Sequence, residues 1–175
     1  MVVNKGTLYW VTGLSGSGKT SIAKILYKNI KVKHKNTIFF DGDVLRSVLG
    51  YEKINYDKLS RLNIAMKYSK LSKLFTDQGI NVVFATISMF ESIRIWNRSN
   101  IKNYIEIYLK ISLDKIIERD KNQLFSKALR KEKSNVVGVD INFEEPKNPD
   151  IILENEGSAS INSLSKDLLK RIIIK

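Results

Sequence analysis

The sequence predicts an α/β protein in which helices cover both faces of a five-stranded parallel sheet. Short apolar runs typical of buried strands alternate with segments of helical periodicity along the chain. The length of 175 residues suits one domain, and a hydrophobic content of 43% is enough to build its core. We therefore expect a single three-layer domain over residues 1–175, with ligands bound at the carboxyl ends of the strands.

The predicted elements follow one another without a linker or an internal repeat. Apolar and β-branched runs predict strands at residues 7–12, 37–40, 80–87, 104–111 and 151–153. Apolar residues at helical spacing predict helices at residues 19–28, 44–49, 57–78, 91–100, 113–119, 123–133 and 161–173. Gly79 is expected to cap the third of these helices. Residues 134–149 hold both prolines and have little periodicity, which indicates a loop.

The composition excludes several classes of function. The chain has no cysteine, so disulfides, thiolate metal sites and cysteine nucleophiles are excluded and a reducing compartment fits. Its single histidine, His34, lies in a lysine-rich stretch, and we assign it no catalytic role. The formal net charge is +12, but the basic residues are scattered, so we expect no nucleic-acid partner. No apolar run is long enough to span a membrane, and we expect a cytoplasmic protein.

Residues 13–20 form a phosphate-binding motif. They read GLSGSGKT and match G-x-x-x-x-G-K-[ST] in full, between a predicted strand and a predicted helix. The glycines allow successive backbone N–H groups to point at phosphate oxygens, and the helix N-terminus adds its positive end. Lys19 would supply a charge to the β- and γ-phosphates of ATP, and Thr20 a hydroxyl to Mg²⁺. The predicted ATP-binding residues here are Gly13, Ser15, Gly16, Ser17, Gly18, Lys19, Thr20 and Ser21.

Two acids follow the second predicted strand. The loop alone does not separate a kinase from a GTPase or a motor ATPase, but the third strand does not end in an aspartate and a guanine-reading N-K-x-D motif is absent. Asp41 and Asp43 lie instead where small-molecule and nucleotide kinases place an acid beside the acceptor hydroxyl. An Asp-Gly-Asp sequence is also typical of a turn and a helix cap. With the phosphate loop present, we favour catalysis.

These motifs resemble those of adenylylsulfate (APS) kinases, which transfer the γ-phosphoryl group of ATP to the 3′-hydroxyl of APS. The resemblance runs from about residue 8 to residue 155, which is nearly the whole chain. Its order and spacing make chance an unsatisfactory explanation. It is carried, beyond the loop, by Asp41-Gly42-Asp43 with Arg46, Arg61, residues 73–75, Ile87-Ser88, Arg119-Asp120, Leu124-Phe125 and residues 138–149.

The resemblance implies roles for the matching positions near the transferred group. Asp43 would orient the acceptor hydroxyl and take its proton, and Asp41 would join Thr20 in holding Mg²⁺. Arg46 and Arg61 would bind the 5′-anhydride of the acceptor, for which a planar forked cation is suited. Lys19 and Ser88 belong to the same catalytic group. Ser88 lies where a phosphoserine intermediate has been proposed for the family. We expect Ser88 to contact the acceptor instead, because direct in-line transfer needs only positioning and charge stabilisation.

The resemblance also implies features outside this centre. A basic lid would span about residues 119–146, with Arg119 facing the nucleotide phosphates. Family members are commonly homodimers, so a homodimer is expected.

The sequence departs from the family pattern where the acceptor base would bind. The family clamps the adenine between two phenylalanines, and the corresponding residues are Tyr56 and Val136. Because base stacking contributes about 1–3 kcal/mol per base, a missing ring weakens adenine binding about tenfold or more. The chain also differs from the family pattern at Ile64, where the family has an asparagine, and at Asn122, where it has a lysine. The predicted acceptor-binding residues are Asp43, Arg46, Tyr56, Arg61, Ile64, Ile87, Ser88, Asn122, Val136 and Val137.

We therefore predict an ATP-dependent kinase that phosphorylates the ribose 3′-hydroxyl of a nucleotide with a modified 5′ end. The altered base site favours an acceptor such as cytidine diphosphoramidate, as in the cytidine diphosphoramidate kinases of capsule phosphoramidate pathways, which resemble APS kinases in fold and motifs. A true APS kinase, making PAPS in sulfate assimilation, is the alternative. More distant are a kinase of a non-nucleotide metabolite and a binding module that uses ATP only as a ligand.

Overall fold

A computed structural model describes residues 4–51, 57–120, 123–157 and 159–173. Five parallel strands form one sheet in the order β2-β3-β1-β4-β5. The predicted five-stranded parallel sheet is confirmed, and each strand end lies within two residues of its predicted position. The strands are β1 (Thr7–Thr12), β2 (Thr37–Asp41), β3 (Asn81–Thr86), β4 (Asn103–Lys110) and β5 (Ile151–Glu154).

Seven helices lie within the described ranges. They are α1 (Lys19–Lys33), α2 (Gly42–Val48), α3 (Lys58–Asp77), α4 (Glu91–Asn100), α5 (Leu113–Glu118), α6 (Leu124–Leu129) and α7 (Ile161–Ile173). Helix α1 is longer than predicted because Ile30 continues the buried stripe begun by Ile22 and Leu26. The predicted cap at Gly79 is confirmed, since this residue has a φ of 81° and follows the end of α3.

Helix α6 ends four residues before its predicted end. Lys131 adopts a left-handed conformation with a φ of 61°. Its N–H donates to the Ala128 carbonyl at 2.9 Å, and the Glu132 N–H donates to the Lys127 carbonyl at 2.8 Å. This is the hydrogen-bond pattern of a Schellman cap, a position that glycine usually occupies. Because no glycine marks this turn in the sequence, the helical pattern predicted a helix that continues past it.

Side chains of alternate strand residues build a core on each face of the sheet. On one face, Val11 and Val83 pack with apolar residues of α1 and α7. On the other, Trp10 and Phe84 pack with apolar residues of α3 and α4, with the two rings 5.1 Å apart between centroids. The predicted three-layer arrangement is therefore present.

A third apolar cluster lies beyond the carboxyl ends of the strands. It joins Leu14 of the phosphate-binding motif to Tyr108 of β4, Ile116 of α5 and Phe125 of α6. Val136 and Val137 are buried in the same cluster. The cluster thus holds much of the 119–146 segment against the end of the sheet where ligands are expected. No helix in the described part of the chain is long and apolar enough to cross a membrane.

Candidate active site

The loop between β1 and α1 is shaped by close contact with the neighbouring strand. Gly13 has a φ of 151°, and a Cβ on it would lie 2.6 Å from the Leu109 carbonyl oxygen of β4. Only glycine fits at this distance. Gly16 and Gly18 continue the loop with φ values of 78° and 91°. The curved backbone that the motif predicts is therefore present.

Lys19 points into this loop. Its side chain is buried, and its Nζ donates a hydrogen bond to the Leu14 carbonyl at 3.2 Å. Burial lowers the pKa of the Lys19 ammonium, an effect opposed by the nearby carboxylates of Asp43 and Asp41. A partly desolvated cation that is weakly paired gains most from an incoming polyphosphate. This is the electrostatic arrangement expected of a phosphate-binding lysine.

Asp41 links the first turn of α1 to the start of α2. Its Oδ2 accepts a 2.8 Å hydrogen bond from the Thr20 hydroxyl, and its Oδ1 accepts one of 3.0 Å from the Asp43 N–H. Asp41 thus caps α2, as the Asp-Gly-Asp sequence suggested. The same side chain also lies beside the phosphate loop. Ligands of Mg²⁺ at their usual distance lie about 3 Å from one another, so two oxygens at this separation fit neighbouring positions of its shell.

An open cleft of about 410 Å³, here called the α2 cleft, lies beside these residues. Asp43 stands at its edge with an exposed carboxylate, 3.7 Å from Nη2 of Arg46. Arg61 reaches the cleft from α3, and its Nη2 donates a 2.6 Å hydrogen bond to the Asn135 carbonyl. The cleft thus combines one carboxylate with two guanidinium groups, which suits a ligand that carries both a hydroxyl and phosphate oxygens.

A second cleft of about 480 Å³, the α6 cleft, shares Ser15 of the phosphate loop with the α2 cleft. It is lined by Ser15 and Gly16 and by Arg119 at the end of α5. A Cβ on Gly157 would lie 2.9 Å from Nη2 of Arg119, so the guanidinium lies close to this glycine.

Asp120 also lines the α6 cleft. It accepts hydrogen bonds from the N–H groups of Leu124 and Ser126 at 2.8 and 2.7 Å, at the start of α6. Burial opposes ionisation of Asp120, but the hydrogen bonds from the Ser126 and Leu124 backbone hold its pKa below the usual value.

Ser88 lies in a narrow crevice next to the α2 cleft, with which the crevice shares Arg61, Ile87 and Val137. It is 8% exposed and has a φ of 23°, an uncommon conformation for serine. Its hydroxyl is 2.8 Å from the hydroxyl of Thr86. Ser88 is therefore near the expected acceptor position, but its hydroxyl is held by a neighbour.

The structure brings most of the predicted acceptor-binding residues to one place. Val136 and Val137 contribute to the wall of the α2 cleft, but they are only 4% and 7% exposed and pack mainly in the third cluster. Ile64 is buried in the core under α3 and reaches the crevice. Tyr56 and Asn122 lie outside the described residues. Of the predicted ATP-binding residues, Ser17 is buried in the loop and Ser21 is exposed on the first turn of α1.

Sequence reasoning missed Asn155. This residue is 5% exposed and follows β5 directly. Its side-chain amide donates a 2.8 Å hydrogen bond to the Ser17 carbonyl, and its backbone N–H donates one of 2.8 Å to the Lys110 carbonyl. It therefore ties the phosphate loop to the ends of β4 and β5. The only sequence signal was a polar residue at the carboxyl end of a predicted strand.

The fold, the loop and the acid that follows β2 define a P-loop phosphotransferase that acts on a hydroxyl acceptor. A model of the adenylylsulphate kinase family matches residues 5–154. The chain belongs to the adenylylsulfate kinase family, which confirms the resemblance inferred from the motifs.

Individual relatives differ in the substrates that their names give. The chain is 42% identical to a cytidine diphosphoramidate kinase of Campylobacter jejuni over 171 residues, covering 98% of this chain and 99% of that one. It is 30% identical to a probable adenylyl-sulfate kinase of Aeropyrum pernix, covering 98% and 96%. Among solved structures, the Mycobacterium tuberculosis APS kinase in complex with AMPPNP and APS superposes with a TM-score of 0.84 at 27% identity, covering 97% and 98%.

Proposed function

We propose that this kinase transfers the γ-phosphoryl group of ATP to the ribose 3′-hydroxyl of cytidine diphosphoramidate. The observation that carries the proposal is the meeting of Asp43, Arg46 and Arg61 in one cleft that shares Ser15 with the phosphate loop. A carboxylate can accept the proton of an acceptor hydroxyl, while two arginines bind a charged 5′ end. The ATP phosphates would occupy the loop, with the nucleoside in the α6 cleft near Arg119.

The chain's own residues supply positioning and charge for this transfer. Lys19 stabilises the charge on the β- and γ-phosphates, and Asp43 holds the attacking hydroxyl and takes its proton as the new bond forms. Mg²⁺, bound through Thr20 and Asp41, would neutralise further charge on the phosphates. Ser88 lies in the crevice beside this cleft, with its hydroxyl 2.8 Å from that of Thr86, and direct in-line transfer requires no covalent intermediate on it.

The choice of acceptor rests on the residue at the predicted base-binding position, Val136, and on sequence similarity to two relatives. Val136 is an aliphatic residue buried in the third cluster, so it offers no ring to stack on an adenine. The relative named for cytidine diphosphoramidate is 42% identical over nearly the full length, whereas the Aeropyrum pernix relative named for adenylyl sulfate is 30% identical. The alternative acceptor is APS itself, which the structural similarity to an APS kinase also supports.

The test is a comparison of acceptors under one set of conditions. Initial rates with MgATP are measured for cytidine diphosphoramidate, APS, CDP and gluconate, and the products are located by ³¹P NMR. We expect a 3′-phosphorylated product, with kcat/KM for cytidine diphosphoramidate at least about tenfold above that for APS. A preference for APS would reverse the assignment of the acceptor. Transfer to gluconate alone, or to none of the nucleotides, would contradict the proposal as a whole.

We further propose that the enzyme uses Mg²⁺, forms a homodimer and acts in the cytoplasm. These proposals rest on the chemistry of the Thr20 and Asp41 oxygens and on the family. Light scattering coupled to gel filtration tests the dimer, and fractionation of cells that produce the protein tests its location.

A further inference from the structure

The α2 cleft and the α6 cleft share part of their walls. Among the described residues, three line both clefts: Ser15, Leu124 and Lys133. Of these, Lys133 alone is charged. A phosphoryl group can pass between two bound substrates only where their sites meet, so these three residues border its path. Lys133 is thus the one cation of the described chain that faces both sites.

We propose that Lys133 is a phosphate-binding residue shared by the two substrates, whose ammonium contacts the oxygens of the transferred phosphoryl group. The inference rests on the proposed function and deepens it. Lys19 approaches the phosphates from inside the loop, whereas Lys133 approaches from the 119–146 segment. Two cations on different sides of the group would stabilise the charge on its oxygens throughout an in-line transfer.

The backbone on either side of Lys133 is anchored. On one side, the Schellman cap that ends α6 includes the N–H of the adjacent Glu132. On the other, the Asn135 carbonyl accepts the hydrogen bond from Arg61, and the Asn135 N–H donates to the carboxylate of Asp140. A short segment held at both ends keeps the Lys133 backbone beside the common wall.

The Lys133 side chain itself is available for a ligand. It is exposed, and it forms no hydrogen bond or ion pair with any other residue that the structure describes. The acids nearest in the lining of the two clefts already have partners. Asp43 lies 3.7 Å from Arg46, and Asp120 accepts backbone hydrogen bonds at the start of α6. An incoming phosphate is therefore the natural counter-charge for Lys133.

The test uses Lys133→Gln with Lys127→Gln as the matched control. Lys127 is an exposed lysine of α6 in the same segment, and it lines neither cleft. Binding of Mg–AMPPNP is measured by calorimetry at low salt, and kcat is measured with the acceptor that the wild-type enzyme prefers. We expect Lys133→Gln to weaken AMPPNP binding about fivefold or more and to lower kcat about 100-fold, as for loss of one transition-state donor. Lys127→Gln should remain within about twofold of wild type in both measurements, as expected for a solvated surface charge.

Two further measurements separate the possible outcomes. Lys133→Arg should recover most of the binding and turnover, and thermal unfolding of Lys133→Gln should match that of the wild type. If Lys133→Gln binds AMPPNP as tightly as Lys127→Gln does, the proposal is wrong. Should the wild-type enzyme phosphorylate no nucleotide, the proposed function fails, but the AMPPNP comparison still decides whether Lys133 binds the donor phosphates.

Discussion

The hydroxyl of Thr20 donates a 2.8 Å hydrogen bond to Oδ2 of Asp41, and this contact joins the phosphate loop to the start of α2. The other oxygen of the same carboxylate accepts from the Asp43 N–H. One side chain therefore orients both the hydroxyl proposed to bind Mg²⁺ and the backbone of the proposed general base. Asp41 thus connects the phosphate loop with the proposed acceptor site.

Asp41→Asn tests the role of this carboxylate in metal binding. The amide oxygen can still cap α2, so the variant should fold with a thermal midpoint close to that of the wild type. It loses the negative charge that attracts a divalent cation, and we expect about a tenfold or larger rise in the Mg²⁺ concentration needed for half-maximal activity. The measurement is a Mg²⁺ titration at saturating ATP. An unchanged titration curve would show that Asp41 acts as a cap alone.

Asp43→Asn should abolish most turnover without abolishing nucleotide binding. The amide cannot accept the proton of the acceptor hydroxyl, so kcat should fall by about 10²–10⁴-fold. Affinity for Mg–AMPPNP, measured by calorimetry, should change little because Asp43 lines the α2 cleft and not the α6 cleft. Asp114→Asn, at an exposed acid of α5, is the control and should keep full activity. Full activity in Asp43→Asn would rule out its role as general base.

Asn155→Ala should weaken ATP binding from a position outside the phosphate motif. The substitution leaves the Ser17 carbonyl without its 2.8 Å partner in a buried setting, which costs about 1–3 kcal/mol of folding free energy. We expect a lower thermal midpoint and a raised KM for ATP, because the loop loses its tie to β4 and β5. Asn29→Ala, at an exposed asparagine of α1, should change neither quantity. A normal KM for ATP in a destabilised Asn155→Ala would limit this residue to a structural role.

The start of α6 should loosen in acid because of Asp120. Its pKa is held below the usual 3.8, so its contribution to folding is complete above that value and is lost as the pH falls through the lower, folded-state pKa. Amide exchange at Leu124 and Ser126 should accelerate in that window beyond the rate change expected for the intrinsic chemistry. In Asp120→Asn the same amides should already exchange faster at neutral pH, with no further step in acid. Equal protection in both proteins at neutral pH would contradict this account.

Local patterns were sufficient to predict much of this protein. The strands, the phosphate loop and the acids after β2 are each encoded by residues close together in the chain, so the sequence alone indicated the fold, the phosphoryl donor and the family. The largest differences among the elements were the ends of α1 and α6, and in α6 the cause is a cap without glycine. After α6, Lys131 takes the left-handed position that glycine usually marks, and no local signal distinguishes it from a continuing helix.

Contacts between distant residues were decided only by the tertiary structure. Asn155 and Ser17 are 138 positions apart in the chain, and Arg61 and Asn135 are 74 apart. In the sequence, nothing distinguishes Lys133 from the other lysines of its basic segment. Only the tertiary structure shows that it lines both clefts. The sequence by itself determined which chemistry is present, because a phosphate loop is a local structure. Which side chains surround the transferred group depends on how the sheet and the 119–146 segment pack together, which no short stretch of sequence encodes.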